Sequence, residues 1–310
     1  MICTTCPRRC RVDRVSGRGF CGAPEEPVVS AVCRHTGEEP PVSGRRGICN
    51  VFFAHCNLQC VFCQNYEISR PLVPSEAVNY RSFDSLVEAV VALLPQCENM
   101  LGLVSPSHYA YLVPRLVEAV HAHGLHPTVV YNTNAYDDVD ILKSLEPYVD
   151  IYLPDFKYSD PDLAARLSHT PDYPQRAEAA LKEMFRQKGS ALLTDDDGLA
   201  FGGIIVRHLV LPGFIDNSLR CLDWLADNLS LKLHISLMSQ YFPPKILLEN
   251  PAASYLSADD IQRLSRTLTS DEYQDVADHL HSLGFSRGWT QAPEASASYR
   301  PDFFSDQPFK

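Results

Sequence analysis

From Cys49 to about residue 285, short apolar runs alternate with longer stretches in which apolar and polar residues mix. The apolar runs are rich in β-branched and aromatic residues, which favour strands. Six such runs can be identified: ICNVFFA, MLGLVS, PTVVYNT, DIYLPDF, GIIVRHLVL and KLHISLM. Each of them is short enough for a single strand of a globular protein.

The longer stretches repeat apolar residues at helical spacing, and several open with Ser, Asp or Asn, as helix N-caps do. They are SLVEAVVALLPQ, YLVPRLVEAVHAHG, VDILKSLEPY, PQRAEAALKEMFRQKG, NSLRCLDWLADNL and SDEYQDVADHLHSLG. Strand followed by helix, repeated, implies parallel strands with right-handed crossovers. No glycine-rich phosphate loop follows the first strand, which disfavours a doubly wound sheet. The pattern predicts an α/β fold, an incomplete (β/α)6 barrel.

Three regions can be separated along the chain. Residues 1–45 are rich in Cys, Pro and Gly and show little helical periodicity, so we interpret them as a metal-binding N-terminal extension. Residues 46–289 form the partial barrel, and residues 290–310 are expected to be a loosely ordered tail.

Composition narrows the function. The net charge of -11 argues against nucleic-acid binding, which needs a basic face. No apolar stretch is long enough for a membrane span and the N-terminus lacks the apolar core of a signal peptide, so we expect a cytoplasmic protein with no membrane partner. Thiols stay reduced in that compartment, and the eleven cysteines are therefore better explained as metal ligands than as disulfides.

The strongest candidate site is the run HCNLQCVFCQN, which spaces Cys56, Cys60 and Cys63 as C-x3-C-x2-C. The run follows the first predicted strand, so it falls at the carboxyl end of the barrel, where active sites lie. Three thiolates leave one iron of a four-iron cluster without a protein ligand. A tetrahedral zinc site completed by Cys49 is the alternative, although no second C-x2-C pair occurs in this part of the chain.

The motif CNLQCVFCQN resembles the signature of the radical S-adenosylmethionine (SAM) enzymes. The segments EEPPVSG, CQNYEIS, VYNTNAY, DIYLPDFKY, IIVRHLVLPG and LMSQY resemble the Fe-S proteins homologous to pyruvate formate-lyase activating enzymes. The similarity runs from about residue 3 to residue 285. It implies a radical SAM partial barrel with the N-terminal extension added.

The resemblance also implies the chemistry. A [4Fe-4S] cluster on Cys56, Cys60 and Cys63 would bind SAM through its amino and carboxylate groups and pass one electron to the sulfonium. The resulting 5′-deoxyadenosyl radical abstracts hydrogen, and no side-chain acid or base is required. Such an oxidoreductase is oxygen-sensitive, draws its electron from a flavodoxin- or ferredoxin-type reductant, and in this family acts on a glycyl radical enzyme or another protein substrate.

By the same resemblance, Phe62 packs near the adenine of SAM. Ser105 and Ser107 follow the second strand, where the activating enzymes carry a Gly-Gly-Glu motif that holds the SAM amino group. The glutamate of that motif is absent here. The two serines equally fit a helix N-cap with Pro106 in the first turn.

Four further residues match SAM-site positions of the family. Asn132 stands where an Asp lies near SAM and a monovalent cation, and the amide leaves that cation open. Asp155 and Lys157 match an Asp-x-Lys motif and share one face of an extended segment, although an ordinary ion pair is the alternative. Arg207 interrupts an apolar strand and is expected to contact the SAM carboxylate, a contact that suits a guanidinium.

Two positions depart from the family pattern. Tyr241 stands in place of a His near the SAM ribose, with Gln240 as a substitute for that contact. His55 replaces a glycine, and its imidazole would either hydrogen-bond the cluster or fill space.

A second set of cysteines, Cys3, Cys6, Cys10 and Cys21, offers four thiolates within nineteen residues. Four thiolates close a site, which predicts a structural zinc or an auxiliary Fe-S cluster. The spacing does not choose between these two metals, and unligated thiols are the remaining alternative.

The departures from the family pattern leave two other functions open. One is radical modification of a peptide or a small molecule. The other, from a different class, is a non-catalytic zinc-binding interaction protein.

Overall fold

The computed structural model describes residues 2–70, 78–80, 82–249, 256–292, 295, 300–305 and 308–309. Within them lies one sheet of nine strands with the order β1-β2-β3-β4-β5-β7-β8-β9, and β6 pairs with β7 alone. The strands are β1 Val29–His35, β2 Ile48–Phe53, β3 Met100–Val104, β4 Thr128–Thr133, β5 Ile151–Pro154, β6 Leu193–Thr194, β7 Ala200–Leu209, β8 His234–Met238 and β9 Gly288–Thr290. All pairs from β2 to β9 along this order are parallel, whereas β1 is antiparallel to β2.

Helices follow most strands. They are α1 Pro40–Ser43, α2 Tyr66–Ser69, α3 Phe83–Leu93, α4 Val113–Ala122, α5 Val139–Leu145, α6 Pro161–Ser168, α7 Tyr173–Lys188, α8 Ile215–Asn228, α9 Lys245–Glu249, α10 Ala258–Leu264 and α11 Ser270–Ser282. Short 3-10 turns cover Leu94–Gln96 and Ser107–Leu112. Ser82, Asp138 and Asp160 cap α3, α5 and α6 with their side chains, because each oxygen accepts from a free N–H of the first turn. In the described chain, no helix is both long and apolar enough to cross a membrane.

The predicted partial barrel is confirmed. The six predicted strands correspond to β2, β3, β4, β5, β7 and β8, which lie in this order in the sheet, and the sheet does not close on itself. Their interior side chains are buried on both faces by helices and by the barrel core, which explains why the runs are almost wholly apolar.

Two regions outside the barrel pack against it. β1 lies inside the N-terminal extension, and its Cys33 pairs with Asn50 of β2, so the extension joins the sheet directly. In the segment expected to be a loose tail, Phe303 is 2% exposed and its ring centre lies 5.3 Å from that of Phe52. Both ends of the chain therefore cover the strand that precedes the Cys56 loop.

Gly102 in β3 leaves space for the side chain of Asn50. It pairs with Asn50 in the neighbouring strand, and the amide of Asn50 crosses above it to donate to Glu38 at 2.7 Å. A Cβ on Gly102 would lie 1.9 Å from the Asn50 oxygen. The absence of a side chain at this position therefore gives Asn50 its room.

We expect Gly102→Ala to lower the free energy of unfolding by about 1 to 3 kcal/mol, because the added methyl displaces Asn50 from its rotamer. Urea denaturation followed by circular dichroism measures this loss. Gly202→Ala in β7 is the matched control, since its Cβ meets its nearest neighbour at an ordinary 3.5 Å. Equal losses in the two variants would contradict the steric explanation.

Candidate functional site

A cavity opens at the carboxyl ends of the strands. Cys56, Cys60 and Cys63 all line it, from the loop that follows β2. The loop turns sharply at His55 and Gln59, whose φ angles of 69° and 58° are unusual for residues other than glycine. The positive φ at His55 explains why a glycine would suit that position.

Polar groups lie near the sulfurs of this loop. The backbone N–H of Leu58 lies 3.4 Å from the Cys56 Sγ, and the amide of Asn134 lies 3.5 Å from it. The Ser168 hydroxyl donates to the Cys60 Sγ at 2.9 Å. Donors of this kind stabilise negative charge on sulfur, so the loop is suited to thiolates.

Without a metal, the thiols of Cys60 and Cys63 hold their protons at neutral pH. Burial raises the pKa of Cys60 to about 12, with the Lys157 ammonium acting in the opposite direction, and burial also raises the pKa of Cys63. A bound metal would displace the protons, because coordination requires the thiolate. Metal binding to this loop should therefore release protons.

Asp155 and Lys157 follow β5 and both line the cavity, as their shared face predicts. The Lys157 Nζ lies 2.6 Å from an oxygen of Asp155. Burial acts to lower the pKa of Lys157, but Asp155 and the nearby thiols outweigh it and raise that pKa, so the ammonium form persists. The two residues bring charges of both signs to the wall near Cys60.

Arg207 lines the cavity, but its guanidinium already has protein partners. Its Nε donates to Glu39 at 2.8 Å, and its Nη2 contacts both Glu38 and Glu39. The contact between Arg207 and the carboxylate of SAM stays a prediction, and in this structure the two glutamates that follow β1 contact the guanidinium. These carboxylates line the same cavity.

Three more predicted residues, Phe62, Ser105 and Asn132, line the cavity. Ser107 does not. Ser105 has a φ of 54°, and the chain then enters the 3-10 turn. The hydroxyl of Ser107 lies behind the cavity wall, 3.0 Å from that of Thr133. The cofactor role expected of Ser107 is therefore not supported by its position.

The next residues to locate are Tyr241 and His55, which depart from the family pattern. Tyr241 is buried, and its hydroxyl donates to the carbonyl of Leu264 at 2.6 Å, so it serves packing, whereas Gln240 lines the cavity. His55 interacts with the backbone of Cys21 in the N-terminal extension, and burial lowers its pKa to about 4. His55 is not among the residues that line the cavity.

Sequence reasoning did not assign site roles to Glu38, Glu39, Asn134 and Ser168. The segment EEPPVSG contains the two glutamates, but nothing in its spacing shows that it reaches Arg207, which lies 168 or more residues away. Asn134 follows a predicted strand and was detectable by its position alone. Ser168 ends α6, which the pattern did not predict, and it reaches Cys60 over 108 residues.

The four N-terminal cysteines lie around a second, smaller cavity, together with Arg8, Arg14, Asn57 and His108. In both cavities the sulfurs line the walls without converging on one point. Within the described residues, no three His, Cys, Asp or Glu side chains are gathered at the spacing of ligands to a single metal ion.

The chain is similar to several known proteins. No protein-family model matches it. An uncharacterized protein of Methanocaldococcus jannaschii is 28% identical over 254 residues, which cover 80% of this chain and 68% of that protein.

Among solved structures, Streptococcus suis SuiB bound to precursor peptide SuiA aligns at 12% identity and a TM-score of 0.48, over 79% of this chain and 48% of SuiB. A domain of pyruvate-formate lyase-activating enzyme from Bacteroides vulgatus aligns at 14% and 0.38, over 59% of this chain and 92% of the domain. Methylornithine synthase aligns at 15% and 0.47, over 78% and 65%. The chain thus spans about half the length of SuiB, and similarity at this level assigns no function.

We expect Arg207→Met to cost about 3 to 5 kcal/mol of stability at neutral pH, because it leaves two buried carboxylates without their cation. Burial alone would raise the pKa of Glu38, but Arg207 lowers it from 4.5 to about 2. The stability that this pair contributes is therefore present above pH 4.5 and is lost as the pH falls toward 2.

In Arg207→Met the pKa of Glu38 shifts in the opposite direction. Without the cation, burial raises this pKa, and protonation of Glu38 then removes the buried charge. The difference in stability between parent and variant should thus narrow between about pH 7 and pH 5. Urea denaturation at both pH values tests this. Arg46→Met, which breaks an exposed pair with Glu98, is the control and should show a small, pH-independent change.

Proposed function

We propose that this chain is a radical SAM enzyme that binds a [4Fe-4S] cluster at Cys56, Cys60 and Cys63 and SAM in the adjoining cavity. One observation carries the proposal: three thiols from one short loop face a cavity whose other walls hold ionised groups of both signs. The loop lies at the carboxyl ends of parallel strands, where barrel enzymes bind their ligands.

The residues fit a cluster with one open iron better than a closed zinc site. Cys49, the fourth thiolate of the zinc alternative, points away from the cavity, and its electrostatic neighbours are Cys33 and Cys97. It is not among the residues that line the cavity. The loop thus supplies three sulfurs, and the fourth position is left for a ligand such as SAM.

The charges of the cavity complement SAM. Asp155, Glu38 and Glu39 supply three carboxylates, against the two cations of Lys157 and Arg207. At neutral pH, SAM carries a sulfonium, an ammonium and a carboxylate, so it has one excess positive charge. We assign Glu38 and Glu39 to the ammonium, in place of the glutamate missing after β3, and Lys157 to the carboxylate.

When bound, the cluster would supply one electron to the sulfonium of SAM, and cleavage of the S–C5′ bond would give a 5′-deoxyadenosyl radical that abstracts hydrogen. The chain positions and encloses the reactants. Phe52, Leu58 and Val104 give the cavity apolar walls, and Phe309 from the C-terminal tail adds to them. Such walls limit the access of water and oxygen to a reactive species.

The reaction partner follows from resemblance alone. We propose a glycyl radical enzyme as the protein that receives the radical, and a flavodoxin- or ferredoxin-type protein as the reductant. Radical modification of a peptide or a small molecule is the second candidate, because the residues after β3 and β4 depart from those of the activating enzymes. A co-expressed partner that acquires a glycine-centred radical would separate the two.

Anaerobic reconstitution with iron and sulfide, followed by SAM and a strong reductant, should yield 5′-deoxyadenosine. We expect Cys60→Ala to abolish this product, because two thiolates do not hold the cluster. Liquid chromatography quantifies the product, and absorption and electron paramagnetic resonance report the cluster. Cys97→Ala is the control, since Cys97 is a buried thiol outside the cavity.

Two outcomes would contradict the proposal. One is zinc in place of iron at the loop after reconstitution. The other is a fully loaded cluster that does not cleave SAM. Either would favour the non-catalytic, zinc-binding interaction protein or another function for the same loop.

We expect Glu39→Gln to raise the Kd for SAM by about tenfold or more, because an amide replaces the charged acceptor of the ammonium. Anaerobic isothermal titration of the reconstituted protein measures the Kd. Glu98→Gln is the matched control, because its carboxylate pairs with Arg46 away from the cavity. An unchanged Kd in Glu39→Gln would place the ammonium elsewhere.

A further inference from the structure

Residues 2–21 fold around a cavity that the function proposed above does not use. Its walls include the thiols of Cys3, Cys6, Cys10 and Cys21. Turns in the backbone bring them together: the N–H of Cys3 donates to the carbonyl of Val12 at 2.8 Å, and the N–H of Arg11 donates to that of Cys3 at 2.9 Å. The extension is thus built as a compact loop around its own sulfurs.

The packing around these sulfurs is tight. A Cβ on Gly19 would lie 2.9 Å from the Cys10 Sγ, so a side chain at this position would displace that sulfur. The backbone N–H groups of Phe20 and Ala23 lie 3.4 and 3.5 Å from the sulfurs of Cys10 and Cys21. Amide donors at a sulfur favour its anionic form.

A buried cation faces the same cavity. The side chain of Arg14 is 1% exposed and lines the cavity. Its Nη1 donates to the carbonyl of His108 at 2.6 Å and its Nε to that of Ala23 at 3.3 Å, whereas its Nη2 has no partner. Neither partner is charged. The guanidinium carbon lies 4.9 and 5.5 Å from the ring centres of Tyr109 and Tyr111, and the sulfur of Cys21 is within electrostatic range.

An arginine buried without an anion is costly. Two carbonyl groups and the rings of Tyr109 and Tyr111 compensate Arg14 in part, but protonated thiols would give it no anion. Four thiolates on a metal carry an excess of negative charge, whether the metal is a zinc ion or an iron–sulfur cluster. A metal on the four sulfurs would therefore give the unpaired Nη2 an anionic neighbour.

We propose that Cys3, Cys6, Cys10 and Cys21 hold a second metal centre, of tetrathiolate type, with Arg14 as its buried counter-cation. The metal is zinc or an iron–sulfur cluster, since both present the same anionic surface to Arg14. Binding would draw the four sulfurs inward from the walls that they now line.

The second centre supports the loop of the first cavity. Arg8, between Cys6 and Cys10, donates to the carbonyl of Asn57 at 3.0 Å and to the Thr170 hydroxyl at 2.6 Å. Asn57 follows the first thiol of the C-x3-C-x2-C loop and itself lines the second cavity. A metal that fixes the turn around Arg8 therefore also fixes the loop that carries Cys56.

The test uses the full chain with Cys56, Cys60 and Cys63 all replaced by Ala, so that any metal found belongs to the N-terminal set and the result does not depend on the proposed function. After purification, or after loading with Zn²⁺ or with iron and sulfide, we expect about one zinc or one iron–sulfur cluster per chain. Elemental and sulfide analysis distinguish the two metals, and either result supports the site.

Adding Cys6→Ala and Cys21→Ala to this background should remove the metal. Cys97→Ala with Cys221→Ala is the matched control, because these two buried thiols lie in neither cavity. A folded background protein that takes up neither metal would overturn the proposal. Metal retained without Cys6 and Cys21 would overturn it as well.

The role of Arg14 has its own measurement. In the background that loads with zinc, competition with a chelator should show a Kd raised about tenfold or more in Arg14→Met and largely restored in Arg14→Lys. In a background that loads with iron, the reduction potential should fall in Arg14→Met and recover in Arg14→Lys. Identical behaviour of Arg14→Met and the parent would overturn the counter-cation assignment.

Discussion

The ion pair between Arg207 and the two glutamates after β1 connects two sides of the open barrel. An open sheet has no hydrogen bonds between its first and last strands, so side chains must span the interior. Arg207 extends from β7, and Glu38 and Glu39 meet it from the segment beyond β1. Burying these charges has a large desolvation cost, which is offset only while all partners stay in place. Asn50 adds a further donor to Glu38 at 2.7 Å.

This constraint also shapes the chemistry of the cavity. Arg207 is paired with Glu38 and Glu39. These three residues form a part of the cavity wall that has two carboxylates and one cation. Beside it, Asp155 is the bridge partner of Arg207, and the Asp155 and Lys157 pair lies close to the thiols. Lys157 keeps its charge despite burial because Asp155 is adjacent. The cavity wall thus leads from Glu38 and Glu39 past Arg207 and Asp155 to Lys157 near the thiols, and an extended zwitterionic ligand can contact groups of both signs along it.

The sequence allowed the barrel to be predicted because strands buried on both faces are continuous apolar runs. β1 was missed because VSAVCRH becomes a strand only by pairing with β2. Asp155 and Lys157, which the family resemblance and their two-residue spacing singled out, both line the cavity. Ser107 does not line it, because the backbone turns at Ser105, with a φ of 54°, and the side chain leaves the cavity. The contact of Glu38 with Arg207 depends on tertiary packing, which no local pattern encodes.

The N-terminal extension contributes residues to the cavity and contacts the loop that carries Cys56. It provides Glu38 and Glu39 to the cavity, and Arg8 holds the carbonyl groups of His169 and Asn57 at 2.9 and 3.0 Å. Those contacts lie directly beside Ser168, whose hydroxyl donates to Cys60. Residues 2–21 are therefore connected to the main loop through three hydrogen bonds. A short segment of this kind buries too little apolar surface to fix itself, so an internal metal is a physically reasonable source of its order.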